Sequence, residues 1–193
     1  MIALFDPSCD KEPRLFFVDE MRYGLMSNFR RSWSLIGQRA VLPQQQAFLS
    51  RYLYSAIDPI TGESFHIMDF DRVNTLTTQL FLSELQKMFP EYHLIIVWDN
   101  AGFHKSKTLE HEDRTLCFLP SYSPQLNPVE RFFEECRKIT ANLIFPEGID
   151  QLSDILEKGI VELAKDMQTI QRLCGYDWIR EQYNSIIQQV KAK

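Results

Sequence analysis

Three acidic residues of this chain lie at positions where side chains could bind metal ions together. Asp19 follows the apolar run 15–18, and Asp99 follows the apolar run 94–98. Glu130 lies at the expected start of a helix. Because Mg²⁺ and Mn²⁺ prefer hard oxygen ligands, three gathered carboxylates predict a divalent-cation site. The chemistry predicted for such a site is phosphoryl transfer with two metal ions about 3.5 to 4 Å apart.

Each carboxylate also has a simpler interpretation when it is taken alone. An aspartate after a strand commonly forms a turn or caps a helix, which is the favoured interpretation for Asp19 by itself. Asp99 is evenly balanced between turn and site, and Glu130 could merely complement the positive end of its helix. The neighbouring acids that could be mistaken for ligands are Glu20, Glu134 and Glu135. Glu134 is the closest competitor because it lies one helical turn beyond Glu130.

The hydrophobic pattern predicts the elements that must position these acids. Five strands are expected at about 15–19, 47–57, 64–70, 94–99 and 115–119. The turn-forming segment 58–62 joins the second and third strands as a hairpin. Helices are expected at about 74–89, 128–139, 151–165 and 177–190, the first of them capped by Asn74. Its apolar face is expected to consist of Leu76, Leu80, Phe81, Leu85 and Met88.

This order of elements predicts an α/β fold, with a mixed five-stranded sheet flanked by helices on both faces and extra C-terminal helices. Strands that end in acids place the site at their carboxyl ends. At 193 residues the chain predicts a single domain, 1–193, with its core at about 14–145 and a helical extension at about 150–191. The extension is expected to cover the core rather than to form an interface.

Composition argues against several classes of protein. Hydrophobic residues make up 45% of the chain, which argues against disorder. No apolar run approaches the ~18 residues of a membrane span, and the N-terminus lacks the pattern of a signal peptide, so a cytoplasmic location is expected. The four cysteines form no CxxC pair, which argues against zinc and a disulfide framework. The net charge of −5 argues against strong general affinity for nucleic acid.

Three segments resemble the catalytic signatures of the mariner-like superfamily of DDE transposases, and of its bacterial insertion-sequence branch in particular. They are Val18-Asp19-Glu20, the segment WDNAGFHKS at 98–106 and the segment LPSYSPQLNPVER at 119–131. The resemblance extends from about Phe16 to Ala141, and 33–37 is similar to a tryptophan-containing segment of that family. The last of the three segments is specific, because its length and mixed composition are hard to reach by chance.

The resemblance implies an RNase H-like fold in which Asp19, Asp99 and Glu130 bind two Mg²⁺ or Mn²⁺ ions. The implied activity is cleavage of a DNA strand at a transposon end, followed by transfer of the freed 3′-hydroxyl to target DNA. No covalent protein nucleophile is then required.

Other residues are expected to support this chemistry. His104 could orient water, contact a phosphate or hydrogen-bond a carboxylate, with an exposed loop histidine as the alternative. Asn100 and Asn127 are expected to hold their loops through side-chain to backbone hydrogen bonds. The basic residues expected to contact DNA phosphates are Arg22, Arg31, Lys105 and Arg131, and a solvated charged surface is the alternative for each. Trp33 and Phe103 could stack on a base, although aromatic residues near strands usually belong to the core.

The expected partners are DNA, both as transposon ends and as target, and a helix-turn-helix region. Family members normally carry that region at the N-terminus, where it binds the transposon ends. Since 18 residues precede Asp19, the region is expected to be missing or on a separate chain. The sequence leaves open whether the chain forms a homodimer, and no membrane is expected as a partner.

Two other functions stay open at this point. A non-catalytic RNase H-like remnant, used as a binding module, is favoured by the missing DNA-reading region, whereas the intact set of three acids favours the transposase. A related metal-dependent nuclease acting on RNA or on a DNA junction would differ in its substrate preference.

Overall fold

A computed structural model describes residues 10–26, 33–39, 45, 47–100, 107–109, 111–141 and 145–191. Its strands are β1 Glu12–Gly24, β2 Ser50–Ile57, β3 Ser64–Phe70, β4 Tyr92–Trp98 and β5 Arg114–Phe118. They form one sheet in the order β3-β2-β1-β4-β5. The β1–β2 and β2–β3 pairs are antiparallel, whereas β1–β4 and β4–β5 are parallel. The predicted mixed five-stranded sheet is therefore confirmed.

Five helices cover the two faces of this sheet. They are α1 Thr75–Met88, α2 Val129–Thr140, α3 Ile149–Lys165, α4 Met167–Cys174 and α5 Asp177–Lys191. Side chains of α1 pack in one core cluster, and side chains of α2 to α5 pack in the other. Alternate residues of β1 enter the two clusters, Leu15 and Phe17 on one side and Phe16 and Val18 on the other. This double burial explains the uninterrupted apolar run, since a strand covered on both faces has no solvent-facing side.

The first strand is longer than the sequence predicts, which changes the position of the first acid. β1 continues to Gly24, because beyond Asp19 it still pairs with β2 from Ser55 to Ser50. Its pairing with β4 ends earlier, at Phe17 and Val97. Asp19 therefore lies within a strand rather than at its end, but just beyond the carboxyl edge of the parallel pair.

Helix α1 begins as predicted but presents a different face to the core. Asn74 accepts hydrogen bonds from the backbone N–H groups of Leu76 and Thr77, at 2.9 and 3.0 Å. The predicted face is confirmed for Phe81 and Leu85 and wrong for Leu76, Leu80 and Met88, which are at least half exposed. The buried residues are Thr78, Phe81, Leu82 and Leu85. The physical reason is the Tyr54 hydroxyl, which bonds to the hydroxyls of Thr77 and Thr78 and so turns that side of the helix toward β2.

The C-terminal region contains three helices instead of the two that the pattern predicts. The missed helix, α4, has eight residues and follows α3 after the single residue Asp166. Asp166 caps α4 by accepting a hydrogen bond from the N–H of Thr169 at 3.0 Å. Side chains from all three helices, including Leu156, Ile170 and Ile179, are buried in the same core cluster as α2. Among the described residues, no helix has the length and apolar character to cross a membrane.

The hairpin between β2 and β3 is fixed by a buried ionic cluster. The Arg14 guanidinium donates to Asp58 Oδ2 and to the hydroxyl of Thr61, both at 3.1 Å, and also pairs with Glu63. Asp58 Oδ1 accepts the backbone N–H groups of Ile60 and Thr61. Arg14 and Asp58 are buried, at 7% and 2% exposure. Each of these two buried charges has an opposite charge within hydrogen-bond distance.

Candidate active site

The three predicted acids line one cleft of about 420 Å³. Asp19 comes from β1, Asp99 directly follows β4, and Glu130 lies in the first turn of α2. Because β1 and β4 pair in parallel, Asp19 and Asp99 lie at the same edge of the sheet. Helix α2 begins beside that edge. The structure thus brings together residues that are more than 100 positions apart in the chain.

Asp19 carries the clearest electrostatic signature in the cleft. The pKa of Asp19 is raised from 3.8 to about 8, mainly by burial and next by the charge of Glu20. Glu130 and Asp99 also raise this pKa, whereas the hydrogen bond from the Glu20 N–H to Asp19 Oδ1, at 2.8 Å, opposes the shift. Negative charge is therefore crowded around Asp19, and a bound cation would relieve it.

Asn127 connects the first acid to the helix that carries the third. Its side-chain amide donates to the carbonyl oxygen of Val18 at 3.1 Å and to Asp19 Oδ2 at 3.0 Å. Its Oδ1 accepts the N–H of Val129 at 3.2 Å, at the first residue of α2. Asn127 is only 2% exposed. The predicted side-chain to backbone bonds are present, and sequence reasoning missed the additional bond to Asp19.

Glu130 differs in its surroundings from the neighbouring acids that could be mistaken for the third metal ligand. Glu130 lines the cleft and forms an ion pair with Arg137, at 3.5 Å between Arg137 Nη2 and Glu130 Oε2. Glu134 is exposed and is not among the residues that line the cleft. Glu135 pairs with Lys138 one turn along the helix. Glu20 follows Asp19 in the strand and acts on it through its charge.

The connection from β5 to α2 forms a second wall of the cleft. Asn100 donates from its side-chain amide to the hydroxyl of Ser121 at 3.0 Å, so its partner is a side chain instead of the predicted backbone group. The N–H of Leu119 bonds to the carbonyl of Trp98 at 2.7 Å, which extends the pairing of β4 and β5 toward the cleft. Sequence reasoning overlooked Ser121, and no signal other than its place in the long motif indicates it.

The predicted DNA-contacting residues are dispersed. Arg22 is exposed on β1, where its Nε donates to the hydroxyl of Ser50 at 3.0 Å. Arg131 is exposed on α2, and a hydrogen bond with Tyr176 raises its pKa. Neither lines the acid cleft among its described residues. The other residues predicted to contact DNA or support the site, Arg31, Lys105, His104 and Phe103, lie outside the described residues, whereas Trp33 is described and fully exposed.

The donor atoms of the cleft fit a hard divalent cation. The described lining residues offer carboxylate, amide and hydroxyl oxygens, and they include no cysteine or histidine. In the described part of the chain, however, no three His, Cys, Asp or Glu side chains are grouped closely enough to hold an ion. The three acids thus share a cleft without forming a closed set of ligands.

Comparison with known proteins identifies the family. Residues 14–153 match the model of the DDE superfamily endonucleases. The match includes more than half of the chain, and this chain belongs to that family. An uncharacterized protein of Sinorhizobium fredii, y4pE/y4sA, is 32% identical over 102 residues, which are 51% of this chain and 75% of that protein.

Solved structures show the same fold. The Mos1 transposase paired-end complex with the left transposon end superimposes with a TM-score of 0.68 at 19% identity, over 92% of this chain and 55% of that one. The Mos1 mariner paired-end complex with Mn gives 0.68 at 20% identity, over 92% and 55%. The catalytic core domain of BIV integrase gives 0.50 at 14% identity, over 79% and 84%. The RNase H-like fold is confirmed, and the chain spans about half the length of the Mos1 chains that it matches.

Proposed function

We propose that this chain is the catalytic domain of a transposase that cleaves DNA strands at transposon ends and transfers the freed 3′-hydroxyl to target DNA. The observation that carries the proposal is the shared cleft of Asp19, Asp99 and Glu130 in a member of the DDE endonuclease family. The fold that it shares with the Mos1 complexes supports the same conclusion.

The residues that would hold metal are these three carboxylates. Two Mg²⁺ or Mn²⁺ ions, when bound, supply the Lewis acidity that activates water or a 3′-hydroxyl and that stabilises the leaving oxygen. A solved Mos1 complex contains Mn and another contains Mg, which supports divalent metal use by this chain.

The chain's own residues would prepare the site for that chemistry. Asn127 holds Oδ2 of Asp19, and the Glu20 N–H holds its Oδ1, so the carboxylate has a fixed orientation. Asp19 is half-buried at the cleft, and the partial exclusion of water strengthens its interaction with any nearby charge. Arg137 neutralises part of the charge on Glu130 and would have to yield when that carboxylate binds metal.

The partners follow from this assignment. The proposed substrates are transposon ends and target DNA, and end recognition is assigned to a helix-turn-helix region outside residues 14–153, which match the family model. Homodimerisation is proposed because two ends must be joined in one event. We also propose that residues 1–193 act as one domain, with α3 to α5 covering the core, in the bacterial cytosol where the DNA resides.

The test is calorimetric titration with Mn²⁺, followed by nicking of supercoiled plasmid, on the wild-type chain and on Asp19→Asn and Asp99→Asn. We expect both metal binding and nicking to be lost in the variants while the unfolding temperature changes little. Thr78→Val is a matched control because it alters a buried polar group on α1. Wild-type nicking by Asp99→Asn would overturn the metal-site assignment.

The alternative of a non-catalytic remnant has one observation in its favour, because the described acids do not form a closed set of metal ligands. The same titration separates the two functions. Absence of Mn²⁺ binding by the wild-type chain would favour the remnant, whereas binding without nicking would point to a catalytic domain that needs its DNA-reading region.

A further inference from the structure

The backbone conformation of Tyr122 and the exposure of its side chain are not explained by packing. Its φ angle is +59°, in the left-handed region that residues with a Cβ rarely adopt. Its side chain is fully exposed, so no burial offsets this unfavourable conformation. Strained residues with no stabilising contacts of their own are concentrated at functional sites.

The conformation of Tyr122 is imposed by anchors on both sides of it. Before it, the hydroxyl of Ser121 accepts a hydrogen bond from the side-chain amide of Asn100, which follows the end of β4. After it, the hydroxyl of Ser123 donates to the carbonyl of Ser121 at 3.4 Å, and the backbone carbonyl of Ser123 accepts the N–H of Leu126 at 3.0 Å. The loop therefore fixes the place of the Tyr122 backbone, from which the exposed ring extends into solvent.

That place is the acid cleft, which Tyr122 lines together with Asp19, Asp99 and Glu130. The other described lining residues are proline, serine, asparagine and leucine, and none is basic. A DNA strand entering the cleft thus meets no basic side chain among the described lining residues, and the nearby Arg137 is paired with Glu130. The contact that Tyr122 offers is the flat face of its ring, and a nucleobase can stack on it in a sequence-tolerant way.

We propose that Tyr122 is a DNA-binding residue that stacks on an unpaired nucleobase next to the phosphate that metal ions at the three carboxylates would hold. The proposal rests on the proposed transposase function and names a contact for its substrate. A base inside an intact duplex has both faces covered by its neighbours, so the ring selects a base that is unpaired or at a strand end. Strand cleavage produces such ends.

The test measures binding of two labelled DNA duplexes by fluorescence anisotropy in Ca²⁺, one fully paired and one with an unpaired 2-aminopurine beside a nick. Tyr122→Gly should bind the second duplex about tenfold more weakly than wild type. It should also lose the quenching of 2-aminopurine that stacking causes. Tyr122→Phe should retain both properties because it keeps the ring. Met88→Ala, which removes an exposed side chain on α1, is the control and should match wild type.

Protein stability separates a substrate contact from a structural role. Glycine adopts a positive φ freely, so Tyr122→Gly should unfold at the wild-type temperature or above it. A lower unfolding temperature, with equally weakened binding of both duplexes, would overturn the proposal.

The result also distinguishes this proposal from the proposed function. Unchanged binding and quenching in Tyr122→Gly would overturn only the role of Tyr122, provided that Asp99→Asn still abolishes nicking. If the wild-type chain neither binds Mn²⁺ nor nicks DNA, the transposase function fails, and the proposed contact fails with it.

Discussion

Asp58 contacts β1 through Arg14 and Asp19 lies within that strand, but the surroundings of the two carboxylates differ in charge. Asp58 is neutralised by the buried Arg14 guanidinium at 3.1 Å and accepts two backbone N–H groups. Asp19 accepts one backbone N–H and one amide, and the nearby charges that shift its pKa are those of Glu20, Glu130 and Asp99, all negative. The first carboxylate is fully compensated within the fold, and the second is not.

This difference teaches which acid belongs to the fold and which belongs to a site. A buried charge normally needs a partner, because its desolvation would otherwise cost several kcal/mol. The arrangement around Asp58 meets that need and contributes to folding. Around Asp19, burial and then the like charges of neighbouring acids raise the pKa of Asp19 to about 8, and a cation bound there would offset both effects.

The largest expected effect is on catalysis by the third acid. Glu130→Gln should lower plasmid nicking by at least about a thousandfold, because it removes a proposed metal ligand worth several kcal/mol in the transition state. Glu134→Gln, one turn along α2, should stay within about twofold of wild type. Initial nicking rates in Mn²⁺ check both variants, and the reverse ranking would show that Glu134 is the ligand.

The next effect concerns the compensated aspartate. Arg14→Met should destabilise the fold by about 3–5 kcal/mol, because it leaves Asp58 buried without its cation. Urea unfolding measures the loss. Calorimetry below the unfolding transition should find the Mn²⁺ affinity of the folded protein unchanged, and a weakened affinity would contradict the separation of the two regions.

A smaller effect is expected where Asn127 holds Asp19. Asn127→Leu removes both donated hydrogen bonds and should weaken Mn²⁺ binding by about 10- to 100-fold, as is typical of groups that orient metal ligands. It should also cost about 1–3 kcal/mol of stability. Thr78→Val is the stability control, since its hydroxyl is equally buried but lies on α1. Equal metal affinity in the two variants would reduce Asn127 to a structural role.

The smallest effect is a pH dependence of folding. His66 stacks on Phe132 and bonds to the hydroxyls of Ser55 and Ser64, and burial lowers the pKa of His66 to about 3. At pH values between about 3 and the unfolded-state pKa of about 6.5, His66 is protonated in the unfolded chain and neutral in the folded one. The free energy of unfolding therefore rises with pH in this range and falls on acidification. Relative to His66→Gln, wild type should lose about 1–2 kcal/mol between pH 7 and pH 5. Parallel stability curves for the two proteins would contradict this expectation.

Much of the fold could be predicted because local patterns specify it. The strands β2 to β5, the hairpin turn and the Asn74 cap follow from apolar runs and turn residues, within a few positions. The predictions failed where contacts between distant residues determine the extent or the orientation of an element. The length of β1 depends on its pairing with β2, and the buried face of α1 depends on the hydroxyl of Tyr54.

The site was predictable as a set of residue types and less so as an arrangement. The positions of Asp19, Asp99 and Glu130 in one cleft follow from strand order and from the resemblance to the DDE family. The bond between Asn127 and Asp19 joins residues 108 positions apart, and no local pattern encodes such a contact. The left-handed backbone of Tyr122 was equally unpredictable, because an ordinary residue gives no sign of a positive φ.

The long reach of the bond between Asn127 and Asp19 has a consequence for synthesis on the ribosome. β1 is translated before its neighbour β4 and before the helix that carries Glu130, and β2 and β3 lie between them in the chain. Contacts between such distant positions form late, because the intervening chain must first be ordered. A nascent chain therefore carries Asp19 without an assembled cleft until α2 has been translated, and the proposed capacity to cut DNA arises only when the sheet and α2 are complete.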